Sequence, residues 1–514
     1  MIDFYGEVKK VLDDRRALTE NGAVGYATTG KALLDMNFKV PSYRDASEDV
    51  IISDFIKAYA EDPTLAIKWM FYVGDIRQGL GERRLFRVLM KHVMSQHTGF
   101  IKFVGEYNRF DSLFELFGTD AESDMINFVL KQLTEDMIAT HNNKPCSLLA
   151  KWMPSINTSS KKTRELAKKF IKAMNIDDAE YRKMLSKLRA NIDVTERKLC
   201  AGQWDKVNYN AVPSKANLKY NNAFLAHDEA RRREFLDKLA KGDKDVKINA
   251  GACFPHDIVV KYRADQWSHC VNQNVDGTLE AMWKALPNTL GDKPMIVVRD
   301  GSGSMTVNVQ RGSNVAALDV ATALAIYCAE RLPEPYKNKF ITFSEHPKMV
   351  SLAGIDTLHD KLHVAYNEAE CANTNIEAVF DLILQTAVRA GIKQKDIPDI
   401  LIISDMEFDG CACDNAHAAQ SWGRGLAPTL FQSIGAKYQA AGYQLPKLVF
   451  WNVNSRTNTI PVKENDMGVV LMSGFSQNTV KMAMSNKLDP YAALKETLNV
   501  NRYAFVDDVM LEVE

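Results

Sequence analysis

The sequence predicts an α plus α/β protein: an N-terminal helical solenoid followed by a doubly wound, mostly parallel sheet. Three observations carry this. Between Ser47 and Arg189 apolar residues recur at three- and four-residue spacing, and β-branched alternation is scarce. After residue 290, short apolar runs alternate with amphipathic segments of helical length. Between the two regimes, PNTLGDKP (287–294) supplies two prolines and a glycine. The boundary is placed there, giving a helical part over 1–290 and an α/β part over 291–514. A chain of 514 residues exceeds what one core sustains, so at least two domains are expected.

In the helical part, DVIISDFIKAYAEDPTLAIKWMFYVGDIR and GERRLFRVLMKHVMSQH read as consecutive amphipathic helices. Breaks fall at Glu61 to Pro63, Gln78 to Gly81, Asn108 to Asp111 and Gly118 to Glu122. Helices joined by such short turns lie antiparallel, as in HEAT-like solenoids; no strict period survives, so any repeats are degenerate. Residues 200–250 read as loop and short helices before a charged helix at His227 to Lys241, and helices resume near Phe254 to Arg263 and Leu279 to Leu286.

In the α/β part the order is MIVVRD, SNVAALDVATALAIYCAERL, KNKFITFS, NIEAVFDLILQTAVRAG, DILIISDMEF, LFQSIGAKYQAAGY and PKLVFWNVN. Ligands of such sheets sit at the carboxyl ends of the strands. There the first strand runs into Asp300-Gly301-Ser302-Gly303-Ser304, a DxSxS turn; Asp405 follows DILIIS, and Thr374 lies on the loop entering a helix between those strands. Three segments thus deliver oxygens to one edge. A hard cation such as Mg²⁺ takes oxygen ligands in near-octahedral geometry, which two hydroxyls and a carboxylate two residues apart suit. Arg299 stands directly before the motif; a guanidinium aimed at the site would compete with the cation.

Asp300, Ser302, Ser304, Thr374 and Asp405 resemble, in order and spacing, the metal-ion-dependent adhesion site (MIDAS) of the von Willebrand factor A family, whose fold is Rossmann-like. That resemblance implies that Ser302, Ser304 and Thr374 contact Mg²⁺ (or Mn²⁺ or Ca²⁺), that Asp300 and Asp405 act through coordinated waters, and that the sixth position awaits an acidic group of a protein partner. An aspartyl-nucleophile phosphatase would carry a second acid at Ser302, and no GxxxxGK[ST] or suitably placed GxGxxG is present, so a non-catalytic role is expected.

EDPTLAIKWMFYVGDIRQGLGERR (61–84) resembles the helical repeat region of the Ro autoantigen (TROVE) family, and Arg109-Phe110-Asp111 resembles a second turn of that family. The similarity continues loosely through LAKWMPSINTSSKKTRELAKK (149–169), and members end in a von Willebrand A domain. TENGAVGYATTGKALLDMNF (19–38) is similar to the start of a further family of uncharacterised proteins with the same two-part layout. The Ro resemblance implies a ring-shaped solenoid that binds small structured or misfolded RNA in a ribonucleoprotein. The residues add 23 Lys and Arg against 13 Asp and Glu between 151 and 247. Lys161, Lys162, Arg164, Lys168, Lys169, Arg182, Lys183 and Lys187 are the candidate phosphate contacts. The bland alternatives stand beside this: a solvated basic face, and a protein-interaction scaffold that uses the metal site without RNA. Asp75, Arg77, Glu82 and Arg83 read as an ion-pair and capping cluster rather than ligand contacts.

Net charge is −1, with 46% hydrophobic and 25% charged residues, as in ordinary soluble proteins. No run approaches a membrane span and the start lacks a signal-peptide pattern, so a cytoplasmic protein without membrane partners is expected. Eight scattered cysteines without CxxC fit free thiols, the Cys411 and Cys413 pair included, and His227, His256 and His269 read as structural.

Overall fold

The computed structural model describes residues 16–264, 270–368, 373–410, 429–462, 468–485, 487 and 489–512. Cys371, Cys411, Cys413 and His269 lie outside the described residues. In chain order the principal elements begin with strands β1 (Arg16–Leu18) and β2 (Val24–Tyr26). Helices α1 (Ala32–Phe38), α2 (Glu48–Glu61), α3 (Pro63–Gly74), α4 (Arg83–Met94) and α5 (Glu122–His141) follow. Then come α6 (Lys161–Met174), α7 (Asp178–Asn191), α8 (Ser214–His227), α9 (Glu229–Ala240), α10 (Pro255–Tyr262) and α11 (Gly277–Lys284). The α/β region holds β3 (Met295–Asp300), α12 (Ala317–Arg331), β4 (Lys339–Phe343), β5 (Lys348–Ser351), α13 (Leu358–Asn367), α14 (Ile376–Ala390) and β6 (Asp399–Ser404). It closes with α15 (Leu430–Ala440), β7 (Leu448–Asn452), β8 (Val469–Ser473), α16 (Pro490–Leu498) and α17 (Phe505–Leu511).

The expected architecture of helices followed by a mostly parallel sheet is present. Six strands pair in the order β5-β4-β3-β6-β7-β8, with β4, β3, β6, β7 and β8 mutually parallel and only the β5 edge antiparallel. The central strands carry apolar runs (IVV in β3, ILII in β6, LVFW in β7), as buried parallel strands do, with polar residues gathered toward their ends. Each face needs a helix that is itself apolar: every residue of α12 from Ala317 to Ala329 is buried. Local signals place the helix ends, as where Ser47 caps α2, Asp177 and Glu180 close a capping box on α7, and Gly391 ends α14 in the left-handed conformation at φ 59°.

The predicted breaks hold between α2 and α3, between α3 and α4, at Asn108 to Arg109 and before α5, with residues 98–116 forming only short 3₁₀ and α turns. Residues 214–227, expected as loop and short pieces, form the complete helix α8.

A single boundary at residue 290 does not describe the compact units. One unit is Met1–Ala66 with Cys253–Val500, the other Ile67–Ala252 with Asn501–Glu514. The physical reason is where the ends pack. At the start of the chain, α1 lies on the sheet, where Asn452 Nδ2 donates to Phe38 O at 2.8 Å and Ser473 Oγ donates to Asn37 O. Arg263, just after α10, forms a buried ion pair with Asp319 of α12 at 2.6 Å. In the other unit, Phe505 of α17 packs edge-on against Phe71 at 4.9 Å and stacks on Tyr107 at 5.0 Å, while Arg502 pairs with buried Asp75. Asp75 also accepts from Arg77 N at 2.9 Å, and its ion-pair partner Arg502 lies outside the expected cluster of Asp75, Arg77, Glu82 and Arg83.

Candidate metal centre

The strand order reverses between β3 and β6, so their outgoing chains part and leave a crevice at the carboxyl edge. Arg299 pairs in register with Ile403, which sets Asp300 beside Ser404. Ser404 Oγ therefore donates to Asp300 Oδ2 at 2.6 Å, while Asp300 Oδ1 accepts from Ser302 N at 2.9 Å. The DxSxS turn is tight enough to put Ser302 Oγ 3.0 Å from Ser304 Oγ. The turn packs closely at Gly301: its N–H donates to Phe343 O at 2.8 Å, and a Cβ would stand a tight 3.0 Å from Thr342 Oγ1. The Thr374 loop is tied to the end of β4 by Asn375 N donating to Ser344 O (3.0 Å) and Ser344 Oγ donating to Asn373 O (2.9 Å). Past β6 the backbone turns through Met406 at φ 65°, a left-handed conformation costly for a side chain and typical of functional edges.

Asp300, Ser302, Thr374 and Asp405 are buried and Ser304 is half-buried. Burial pushes the Asp300 carboxyl above the usual carboxylate range, against the hydrogen bonds from Ser302 and Ser404. Asp405 is pushed up to about 7, first by burial and then by the negative charge of Asp300, with Arg456 opposing. Asp405 Oδ2 has no hydrogen-bond partner despite burial. Two carboxylates and three hydroxyls, all oxygen donors with charge left over, are a set that can hold a hard divalent cation. Among the described residues no three His, Cys, Asp or Glu side chains gather as a metal cluster, so this site, with only two acids, differs in kind.

Arg299 lies on the other face of the strand from Asp300, though its charge still acts to lower the Asp300 carboxyl. It is wholly buried, donating to Thr322 Oγ1 (3.1 Å), Ala365 O (2.9 Å) and Thr342 Oγ1 (2.8 Å) and lying over the Phe340 ring. Strand alternation sends it to the opposite face from Asp300. The cation that does reach the edge is Arg456, whose guanidinium lies 3.6 Å from Asp405 Oδ2 and 3.4 Å from the Ser304 carbonyl. Buried Glu407 fixes the loop that carries it, accepting from Arg456 N (2.7 Å), Thr457 N (2.9 Å) and Glu20 N (2.8 Å). Glu407 carries a signal in IISDMEFD, two residues beyond Asp405; Arg456, Glu20 and Asn21 carry none.

The eight basic candidates lie on α6 and α7, which both pack on α5. Lys161, Lys162, Lys168, Lys169, Arg182, Lys183 and Lys187 are exposed. Arg164 is not a free phosphate contact: it donates to Thr158 O and Ser159 O at 2.6 and 2.9 Å. Lys169 lies over Phe117, and Arg182 donates to Asp178 O. The aromatics near them are structural, Tyr181 being buried with its hydroxyl on Pro154 O and Trp204 stacking on His227.

Comparison with known proteins places likenesses over most of the chain. Residues 294–502 match a family model described as a domain of unknown function, DUF7788, and residues 160–295 match another, DUF2828. Uncharacterized protein L728 of Acanthamoeba polyphaga mimivirus is 29% identical over 528 residues, covering 94% of this chain and 87% of that protein. The two family matches meet at 294–295, beside the change of pattern at residue 290. All five candidate ligands and Arg456 fall inside the first match, whereas Glu20 and Asn21 fall outside both.

Proposed function

We propose that the carboxyl edge of the sheet is a divalent-cation site of the MIDAS type, as in von Willebrand A domains, and that the protein is a binding protein rather than an enzyme. The observation that carries this reading is the convergence of Asp300, Ser302, Ser304, Thr374 and Asp405, with the buried Asp405 Oδ2 left without a hydrogen bond. Mg²⁺ or Mn²⁺ would take oxygens from Ser302, Ser304 and Thr374, with Asp300 and Asp405 balancing its charge. An acidic group of a partner completes such a site. The test uses the full chain, because 290–514 is not a compact unit by itself. Mg²⁺ or Mn²⁺ raises its unfolding temperature, since a ligand bound only to the folded state stabilises it. Asp300→Ala responding as strongly as the parent would overturn the assignment.

A second reading concerns the helical part, a HEAT-like solenoid that closes into a ring in Ro-type proteins. Exposed Lys162, Lys168, Lys183 and Lys187 on α6 and α7 support polyanion binding, with small or misfolded RNA as the ligand class. RNA affinity should then fall steeply with log[salt], by roughly 0.7 in slope per single-strand phosphate contact. Reversing the charge of Lys161, Lys162, Lys168 and Lys169 should abolish retention at low salt. No RNA retention by the parent at low salt would favour the scaffold reading, in which the metal edge binds acidic protein surfaces and no RNA is involved; unchanged retention by the variant would move the RNA contacts off these lysines.

A further inference from the structure

The metal edge is covered by this chain's own N-terminal hairpin. Between β1 and β2 the tip, residues 19–22, is pinned over the end of β6: Thr19 Oγ1 donates to Phe408 O at 2.6 Å, and Gly22 bridges Asp409. Behind the tip, Tyr26 exchanges backbone hydrogen bonds with Ile460 at 2.8 Å each. Gly25 permits that approach, since a Cβ there would lie 2.6 Å from Thr459 Cγ2 and 2.8 Å from Ile460 O.

The contacts made by the tip fall on the groups a cation would need. Asn21 Nδ2 donates to Thr374 Oγ1 at 3.2 Å and to Glu407 O at 2.7 Å, so a candidate ligand lone pair is already engaged. Glu20 pairs with the Arg456 guanidinium, the same group that reaches Asp405 and Ser304. Arg456 thus supplies positive charge where the site has an excess of negative charge. Glu20, Asn21 and Arg456 are solvent-exposed, whereas Asp300, Ser302, Thr374 and Asp405 are buried. The Glu20 and Asn21 side chains and Arg456 therefore stand between the site and water, while buried Thr19, Ala23 and Tyr26 anchor the hairpin behind them.

We propose that the Glu20-Asn21 tip and Arg456 are the resident occupants of the metal edge, and that a divalent cation enters by exchange, displacing the Arg456 guanidinium from Asp405 and the Asn21 amide from Thr374. The proposal rests on the metal reading above and adds a built-in competitor to it. An outside acidic partner meets the ion only after the tip has moved, so cation binding and partner access are linked.

Mn²⁺ titration of the full chain, followed by the electron paramagnetic resonance signal of free Mn²⁺, tests this together with amide hydrogen exchange over residues 16–26. Arg456→Gln should tighten Mn²⁺ binding about tenfold by removing a positive charge near Asp405. Asn21→Ala should tighten it about threefold without changing charge. In the unmodified chain, saturating Mn²⁺ should speed exchange at residues 16–26, a readout independent of any variant's folding. If parent and variants bind Mn²⁺ equally and exchange at 16–26 is unmoved, the exchange mechanism is wrong while the metal site stands. If neither parent nor variants bind Mn²⁺, the metal reading falls and this inference falls with it.

Discussion

The two candidate functional regions use charge in opposite ways. At the sheet edge, Asp300, Asp405 and Glu407 are withdrawn from water and held by backbone and hydroxyl donors, so their geometry is set before any ligand arrives. On α6 and α7 the lysines stand in solvent on flexible stems. Buried charge costs free energy unless compensated, and that cost is what creates affinity for a cation. Solvated charge costs little and discriminates little, so the basic helices can attract polyanions but fix no geometry. The edge therefore has side chains fixed in advance of any ligand, and the basic helices do not.

The contrast can be broken at several points. The largest effect is expected from Arg263→Ala, which strands Asp319 beneath Tyr366 without its partner and should lower stability by about 3–5 kcal/mol in chemical denaturation. Glu407→Ala should cost about 2 kcal/mol by leaving the Arg456, Thr457 and Glu20 amides without their acceptor.

A pH series gives the next effect. The folded-state value of Asp405, about 7, lies above its ordinary 3.8, so the fold favours its protonated form. Its contribution is fully present below about pH 4 and is lost as pH rises through 7, so the metal-free chain should lose stability over that interval relative to Asp405→Asn. Lys162→Ala, at an exposed position, should change stability by less than about 0.5 kcal/mol. A shift of 2 kcal/mol there would erase the distinction between the regions.

Legibility in the sequence followed range. Asp300, Ser302 and Ser304 were readable because one turn holds them, and Asp405 and Thr374 because strand ends and helix starts announce themselves. Arg299 was half-readable: its presence was plain, but its direction depended on strand alternation relative to a face that only packing defines. Arg456 reaches Ser304 across 152 residues and meets Glu20, which comes from near the other end of the sequence, and no local pattern encodes that meeting. The same holds for the units, since an amphipathic helix such as α1 or α17 displays its apolar face without naming the surface that will cover it. Strand β5 was missed because four residues on an edge, with Met349 exposed, carry little pattern. In β8, VVLMS between Gly468 and Gly474 carries the signal of a buried strand, a short apolar run bounded by glycines.

Isothermal titration of Mn²⁺ into the full-length parent and Asp300→Ala, after chelator treatment, addresses the central claim most directly. One Mn²⁺ is expected to bind per parent chain, with at least a hundredfold loss in the variant, equivalent to about 2.7 kcal/mol. Equal binding by the two proteins, or none by the parent, would contradict it.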